Sequence, residues 1–211
     1  QSLIESRMET ALQNHEFEVY LQPKHDIVTE KIVGAEALVR WNMDGKIIMP
    51  DEFIPLFEEN GFITKLDMYV LDHAFSYMEE WQSKGYCIKQ INVNQSRMLM
   101  YRSNYMEDIK KIIKRHHVDT SAIVLEVTES VALEDMEILK ETIQSVHQLG
   151  FEVSMDDFGS GYSSLNVLQA LPFDELKLDR FFVKDMGVDH EKQKKIIQYI
   201  IELNKSLNVR T

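Results

Sequence analysis

Apolar and polar residues alternate in F-E-V-Y-L from Phe17, which predicts an extended segment over residues 17–27, with Pro23 tolerated only at a strand edge or end. I-V-G-A-E-A-L-V-R predicts a second strand over 32–40, almost continuously apolar, as a strand covered on both faces is. K-Q-I-N-V-N-Q (89–95), I-V-L-E-V-T-E (123–129), the alternation of Phe151, Val153 and Met155, and E-L-K-L-D (175–179) continue the series. Between these runs the apolar spacing turns helical, over 2–14, 51–60, 65–84, 105–116 and 134–149, briefly after Ser163, and over 190–207. Leu66, Tyr69, Val70, Ala74, Met78 and Trp81 share one face of the 65–84 helix, and Ile196, Ile197, Ile200, Ile201 and Leu203 are expected to face inward from the last one. Gly61, Gly85 and Gly150 stand where helices should stop, and residues 208–211 read as the start of a further strand.

Strand and helix recur at roughly 20–35-residue spacing, which argues for an α/β fold with a parallel sheet. The count suits a (β/α)8 barrel without its last strands, since such barrels usually need about 250 residues. An open doubly wound sheet is the alternative, but no G-x-G-x-x-G follows the first strand.

Composition narrows the partners more than the fold. The 211 residues are 44% hydrophobic, enough for one sizeable core, and the net charge of −12 leaves no basic footprint for duplex DNA or RNA. Cys87 is the only cysteine, so an internal disulfide is excluded and a reducing, cytoplasmic setting is expected, with Cys87 itself in the core. No apolar run approaches about 18 residues, so no membrane contact is expected within this segment.

The candidate chemistry lies at strand ends. Glu36, Asn94, Glu126, the pair Asp156-Asp157, and Lys177 fall in or at the ends of five different predicted strands. Each alone has a bland reading as a cap, an exposed face or a local ion pair. Together they offer only oxygen ligands, which favours a hard cation, Mg2+ or Mn2+. So many oxygens also suit two ions about 3.5–4 Å apart with Asp156 shared, as in metal-assisted phosphodiester hydrolysis, with Lys177 orienting water or stabilising developing charge. Other signals are weaker. Gly159-Ser160-Gly161 follows two carboxylates that would repel a bare pyrophosphate, and Asp157-Phe158-Gly159 has no kinase motif upstream. His116-His117 reads as a solvated face, and Met98, Met100 and Met106 as packing.

At G-A-E-A-L-V-R-W, residues 34–41, the sequence resembles the EAL-domain family of cyclic di-GMP phosphodiesterases, and the likeness continues through Y-L-Q-P, V-N-Q-S, L-E-V-T-E-S, D-D-F-G-S-G-Y-S-S-L and L-K-L-D. The resemblance implies a modified (β/α)8 TIM-like barrel whose first strand is antiparallel to the rest. It implies Glu36, Asn94, Glu126 and Asp156 as ligands of one metal and Asp156 with Asp157 as ligands of a second. Lys177 resembles the lysine that holds the nucleophilic water, and Glu129 the glutamate that anchors the glycine-rich loop. Arg40 looks like a contact to a substrate phosphate, and Gln22, Leu38 and Asp179 like further substrate contacts. The implied reaction opens cyclic di-GMP to linear pGpG with Mg2+ or Mn2+. A homodimer and fused sensory or diguanylate cyclase domains are expected from the family as well.

Two departures stand out. The family reads V-N-L-S or V-N-V-S where this chain has V-N-Q-S, and Asn92 rivals Asn94 for the ligand position. The family's later E-G-V-E segment, whose glutamate helps hold the second metal, and its Q-G-Y segment do not occur in the sequence. Residues 1–211 are therefore expected to form one EAL domain, incomplete at its C-terminus and cut from a larger signalling protein, as the start at Gln1 also argues. Three functions stay open at this point: the phosphodiesterase, a catalytically inactive module that binds cyclic di-GMP or a protein, and a two-metal barrel enzyme acting on another phosphoester.

Overall fold

Helix α1 (Ser2–Gln13) leads into strand β1 (Phe17–His25), which pairs antiparallel with β2 (Ile32–Met43) in continuous register from Phe17 opposite Trp41 to Lys24 opposite Gly34. The antiparallel first strand expected from the family resemblance is thus observed. The computed structural model describes residues 2–130, 135–159, 165–182 and 191–211, which divide into a first unit, Gln1–Val124, and a second, Leu125–Thr211.

In the first unit, alternation sends Phe17 and Trp41 to one face of the β1–β2 ribbon, where helices α2 (Pro50–Asn60) and α3 (Ile63–Ser83) cover them. The core there is aromatic. The Phe17 and Trp41 ring centroids lie 4.9 Å apart, and Phe57 meets Phe62 edge-on at 4.7 Å. Gly61 ends α2 at φ 81°, as its position in sequence predicts. Strand β4 (Gln90–Asn94) lies parallel to β2, with Gly34 opposite Gln90 and Glu36 opposite Asn92. A Cβ at Gly34 would come within 2.7 Å of the Gln90 carbonyl oxygen, so the close approach of these strands needs glycine.

Several features differ from the sequence reading. Strand β2 runs on to Met43 and folds back through Asp44-Gly45, both at positive φ, into a short strand β3 (Lys46–Ile48). Cys87 is exposed rather than part of the core, because the chain after Gly85 runs along the surface before β4 begins. Helices α4 (Arg97–Met100) and α5 (Tyr105–Arg115) follow β4. Met100 packs inside as expected, while Met98 is exposed. His116 is not solvated: its ring lies between Asp72 (2.9 Å) and Glu79 (3.2 Å) of α3 and stacks on Phe75.

Strand β5 (Ile123–Thr128) carries the chain across the boundary between the units. The second unit holds helix α6 (Met136–Gln148), β6 (Glu152–Phe158), helix α7 (Leu165–Ala170), β7 (Glu175–Leu178) and helix α8 (Glu191–Ser206). Strands β6 and β7 are parallel. Arg210 adds an isolated parallel bridge to Glu175 of β7, in the segment where the sequence predicts a further strand. The α8 face departs from expectation: Ile196 is 42% exposed, and Ile197, Ile200, Ile201 and Leu203 are only half-buried. The predicted starts of the helices near Glu134 and His190 lie outside the described residues, as does Ser163.

Candidate active site

Alternation along β2 points Glu36, Leu38 and Arg40 to the face opposite the aromatic core, and the register sets Gln22 and Tyr20 of β1 on that same face, across from Glu36 and Leu38. The Arg40 guanidinium sits 5.9 Å from the Tyr20 ring centroid and donates to the Val39 carbonyl at 2.8 Å. Both asparagines of β4 also share this face, and their environments separate them. Asn92 is fully buried, its Oδ1 accepting from Lys24 Nζ at 3.1 Å. Asn94, exposed at the strand end, donates through Nδ2 to Glu36 Oε1 at 3.1 Å. Asn94 is thus hydrogen-bonded to Glu36, while Asn92 is buried and bonded to Lys24.

The second unit brings three further predicted residues together. Lys177 Nζ of β7 lies 3.0 Å from Glu126 Oε1 of β5 and 3.1 Å from Asp156 Oδ2 of β6. Glu126 is 1% exposed, and a carboxylate buried that deeply requires such a partner. The strand pairing sets Asp156 and Asp157 against the same residue of β7. Met155 faces Leu176 and Phe158 faces Leu178, so two residues of β6, the aspartates, oppose the single residue Lys177 of β7. This is a β-bulge, and Asp157 closes it at φ 56°, a left-handed conformation that aspartate tolerates better than most residues. The Asp157 N–H donates to Asp156 Oδ1 at 2.9 Å. Burial, then the charges of Asp156 and Asp179, push the Asp157 carboxyl above its ordinary range, while Lys177 pulls it back. Asp179 is held close by its N–H, which donates to the Phe158 carbonyl at 3.2 Å.

Glu129 stands one strand end away. Its buried Oε2 accepts from the Gly159 N–H at 3.0 Å, and its Oε1 has no hydrogen-bond partner among the described residues. The glutamate therefore grips the chain two residues beyond Asp157. Gly159 has φ 93°, and a Cβ there would fall 2.1 Å from Phe182 Cε2, so only glycine fits. The expected glycine-rich loop continues into residues 160–164, which lie outside the described residues.

All the gathered donors are carboxylate or amide oxygens, and the second-unit group already holds a cation, the Lys177 ammonium, against two carboxylates. That donor chemistry fits a hard divalent ion. The sequence model of the EAL domain matches residues 5–211. The chain belongs to the EAL domain family. This EAL domain is 33% identical over 201 residues to the bifunctional diguanylate cyclase/cyclic di-GMP phosphodiesterase MucR of Pseudomonas aeruginosa, covering 95% of this chain and 29% of MucR. It is 33% identical over 205 residues to the probable cyclic di-GMP phosphodiesterase PdeB of Escherichia coli, covering 97% of this chain and 38% of PdeB. The chain thus spans roughly a third of the length of these relatives. Among solved structures, the PaMucR phosphodiesterase in complex with c-di-GMP superimposes with a TM-score of 0.89 at 32% identity, covering 98% of this chain and 84% of that one. The fold is accordingly the mixed α/β, TIM-like barrel type of EAL domains.

Sequence reasoning passed over several residues that the EAL fold brings to this region. Lys24 and Tyr20 lie in period two with Gln22, a signal present in the sequence. Gln95, Tyr105 and Asp67, which hold the chain just past Asn94, meet only through tertiary packing.

Proposed function

We propose that this EAL domain hydrolyses cyclic di-GMP to linear pGpG with two divalent cations, Mg2+ or Mn2+. The observation that carries the reading is the bulge: Asp156 and Asp157 oppose Lys177, whose ammonium also contacts the buried Glu126. In this reading Glu36, Asn94, Glu126 and Asp156 hold one ion, and Asp156 and Asp157 hold the other. When bound, such ions supply an acidified water and neutralise phosphoryl oxygens.

The chain's own groups do the rest. Lys177 holds the attacking water against the phosphorus, and Glu129 fixes the Gly159 backbone so that Asp157 keeps its left-handed turn. Arg40, steadied by Tyr20, binds a phosphate, while Gln22, Leu38 and Asp179 line the substrate. The water oxygen bonds to phosphorus, the P–O3′ ester bond breaks, and the leaving oxygen takes a proton, giving a 5′-phosphate and a 3′-hydroxyl. Homodimerisation, fused sensory or cyclase regions and a cytoplasmic location belong to the same proposal. No helix among the described residues is long and apolar enough to cross a membrane.

Incubation with cyclic di-GMP and Mg2+, followed by chromatography, should show pGpG. Asp156→Asn should lower turnover by about 100-fold or more while leaving the fold intact, because it removes a shared ligand and little volume. Tight binding of cyclic di-GMP without product would replace the enzyme with a binding module, and near-normal activity of Asp156→Asn would refute the metal assignment.

A further inference from the structure

The main chain at the end of β4 and just beyond it is gripped from behind. The Gln95 side chain, 4% exposed, donates through Nε2 to the carbonyl of Asn94 at 2.9 Å, and its Oε1 accepts from the Tyr105 hydroxyl at 2.8 Å. The Ser96 N–H donates to Asp67 Oδ2 of α3 at 2.9 Å, and Ser96 Oγ in turn accepts from the Leu99 N–H at the start of α4. Tyr105 and Asp67 are both buried. Polar side chains thus hold the main chain at Asn94 and at Ser96, while the Asn94 side chain reaches out to Glu36.

A buried amide in such a place calls for a reason. An apolar side chain at this position would fill the space without any need for hydrogen-bond partners. The amide is paired at both its nitrogen and its oxygen, and its bond to the Asn94 carbonyl has a geometric effect that an apolar side chain could not supply. What it fixes is the peptide plane that follows Asn94. That plane sets the Asn94 ψ angle and with it the region of space the Asn94 carboxamide can sweep.

We propose that Gln95, locked by Tyr105, is a positioning residue that holds the Asn94 carboxamide in place to bind the divalent cation. This inference rests on the metal-dependent reading of the site. Outer groups that orient a ligand carry about 10–100-fold in metal affinity or activity. A side chain that only filled core space would affect stability and leave metal affinity alone.

The test compares wild type, Gln95→Leu and Tyr105→Phe by Mn2+ titration calorimetry, thermal melting and steady-state hydrolysis of cyclic di-GMP. Gln95→Leu should weaken Mn2+ binding about tenfold and lower kcat with KM unchanged, beside a lower melting temperature because the buried Tyr105 hydroxyl loses its acceptor. Tyr105→Phe, which touches neither Asn94 nor its carbonyl, should weaken Mn2+ binding in the same direction by a smaller factor. It decides the matter if the leucine variant fails to fold. Wild-type Mn2+ affinity in both variants would overturn the proposal. A wild type that binds Mn2+ but yields no pGpG would sink the phosphodiesterase reading alone, since the affinity comparison still decides the role of Gln95. A wild type that binds no Mn2+ would overturn both.

Discussion

Replacing Lys177 with methionine separates its structural role from the proposed chemical one. The ammonium lies 3.0 Å from Glu126 and 3.1 Å from Asp156, and the Glu126 side chain is fully out of solvent. Removing one member of a buried ion pair costs about 3–5 kcal/mol, because the other charge is left desolvated. Lys177 keeps 23% of its side chain exposed, which places the expected loss near the lower end, about 3 kcal/mol. A divalent cation should recover much of it. A ligand that binds only the native state stabilises by about 2.7 kcal/mol at one hundred times its dissociation constant. In the variant the cation meets the carboxylates without a competing ammonium beside them, so its stabilising increment should exceed that in wild type. Urea unfolding followed by circular dichroism, in EDTA and in saturating Mn2+, measures both quantities. Lys177→Met should be less stable in EDTA, gain more from Mn2+, and show almost no hydrolysis. Equal stability in EDTA, or equal gains from Mn2+, would refute the claim that Lys177 shares its carboxylates with the metal.

Gly159→Ala places a Cβ on Phe182 at a backbone angle that alanine disfavours, so it should lose about 2 kcal/mol or more, together with activity; wild-type melting and turnover would show that the turn after Asp157 does not matter. Asp67 should govern part of the pH dependence of stability. Burial raises its carboxyl from an ordinary 3.8 to about 7, against the pull of its hydrogen bonds from Ser96. Between those values the native protein keeps a proton that the unfolded chain has lost, so stability falls as pH rises, by about 1.4 kcal/mol per unit at the steepest. Asp67→Asn, which can still accept from Ser96, should flatten that slope and gain on wild type up to about pH 7 and hold the gain above it. Urea titrations at pH 5, 6 and 8 check this, and parallel profiles would refute it.

Much of this fold is written in local pattern. F-E-V-Y-L and I-V-G-A-E-A-L-V-R declare strands by alternation and continuous apolarity, and both are strands. Strand β3 escaped because three residues are too few for periodicity, although Asp44-Gly45 was a hairpin signal in plain sight. Cys87 escaped for the opposite reason: Tyr86-Cys87-Ile88 is apolar, but Gly85 has already ended α3, and exposure there depends on the path of the chain rather than on its composition. The isoleucines of α8 have helical spacing, and the helix forms, yet spacing says only which face they share and not how much of it is covered.

The site is legible residue by residue and opaque in its joints. That a polar group ends each strand can be read directly; that Glu129 grips Gly159, thirty positions away, cannot. The Asp156-Asp157 pair shows why. In a regular strand, neighbouring side chains leave on opposite faces, so two adjacent aspartates could not serve one site. The bulge removes that obstacle by giving β6 one residue more than β7 between Met155 and Phe158, and the left-handed turn at Asp157 re-aims the second carboxylate toward Asp156, Asp179 and Lys177. Holding that conformation costs on the order of 1–3 kcal/mol and also crowds carboxylates together, two penalties that packing alone would not select. Glycine at 159, with its N–H held by Glu129, sustains the strain on one side, and the Lys177 ammonium offsets the crowding on the other. Strained residues cluster at functional sites, and a bound cation offsets converging negative charge, which links the observed backbone to the proposed chemistry.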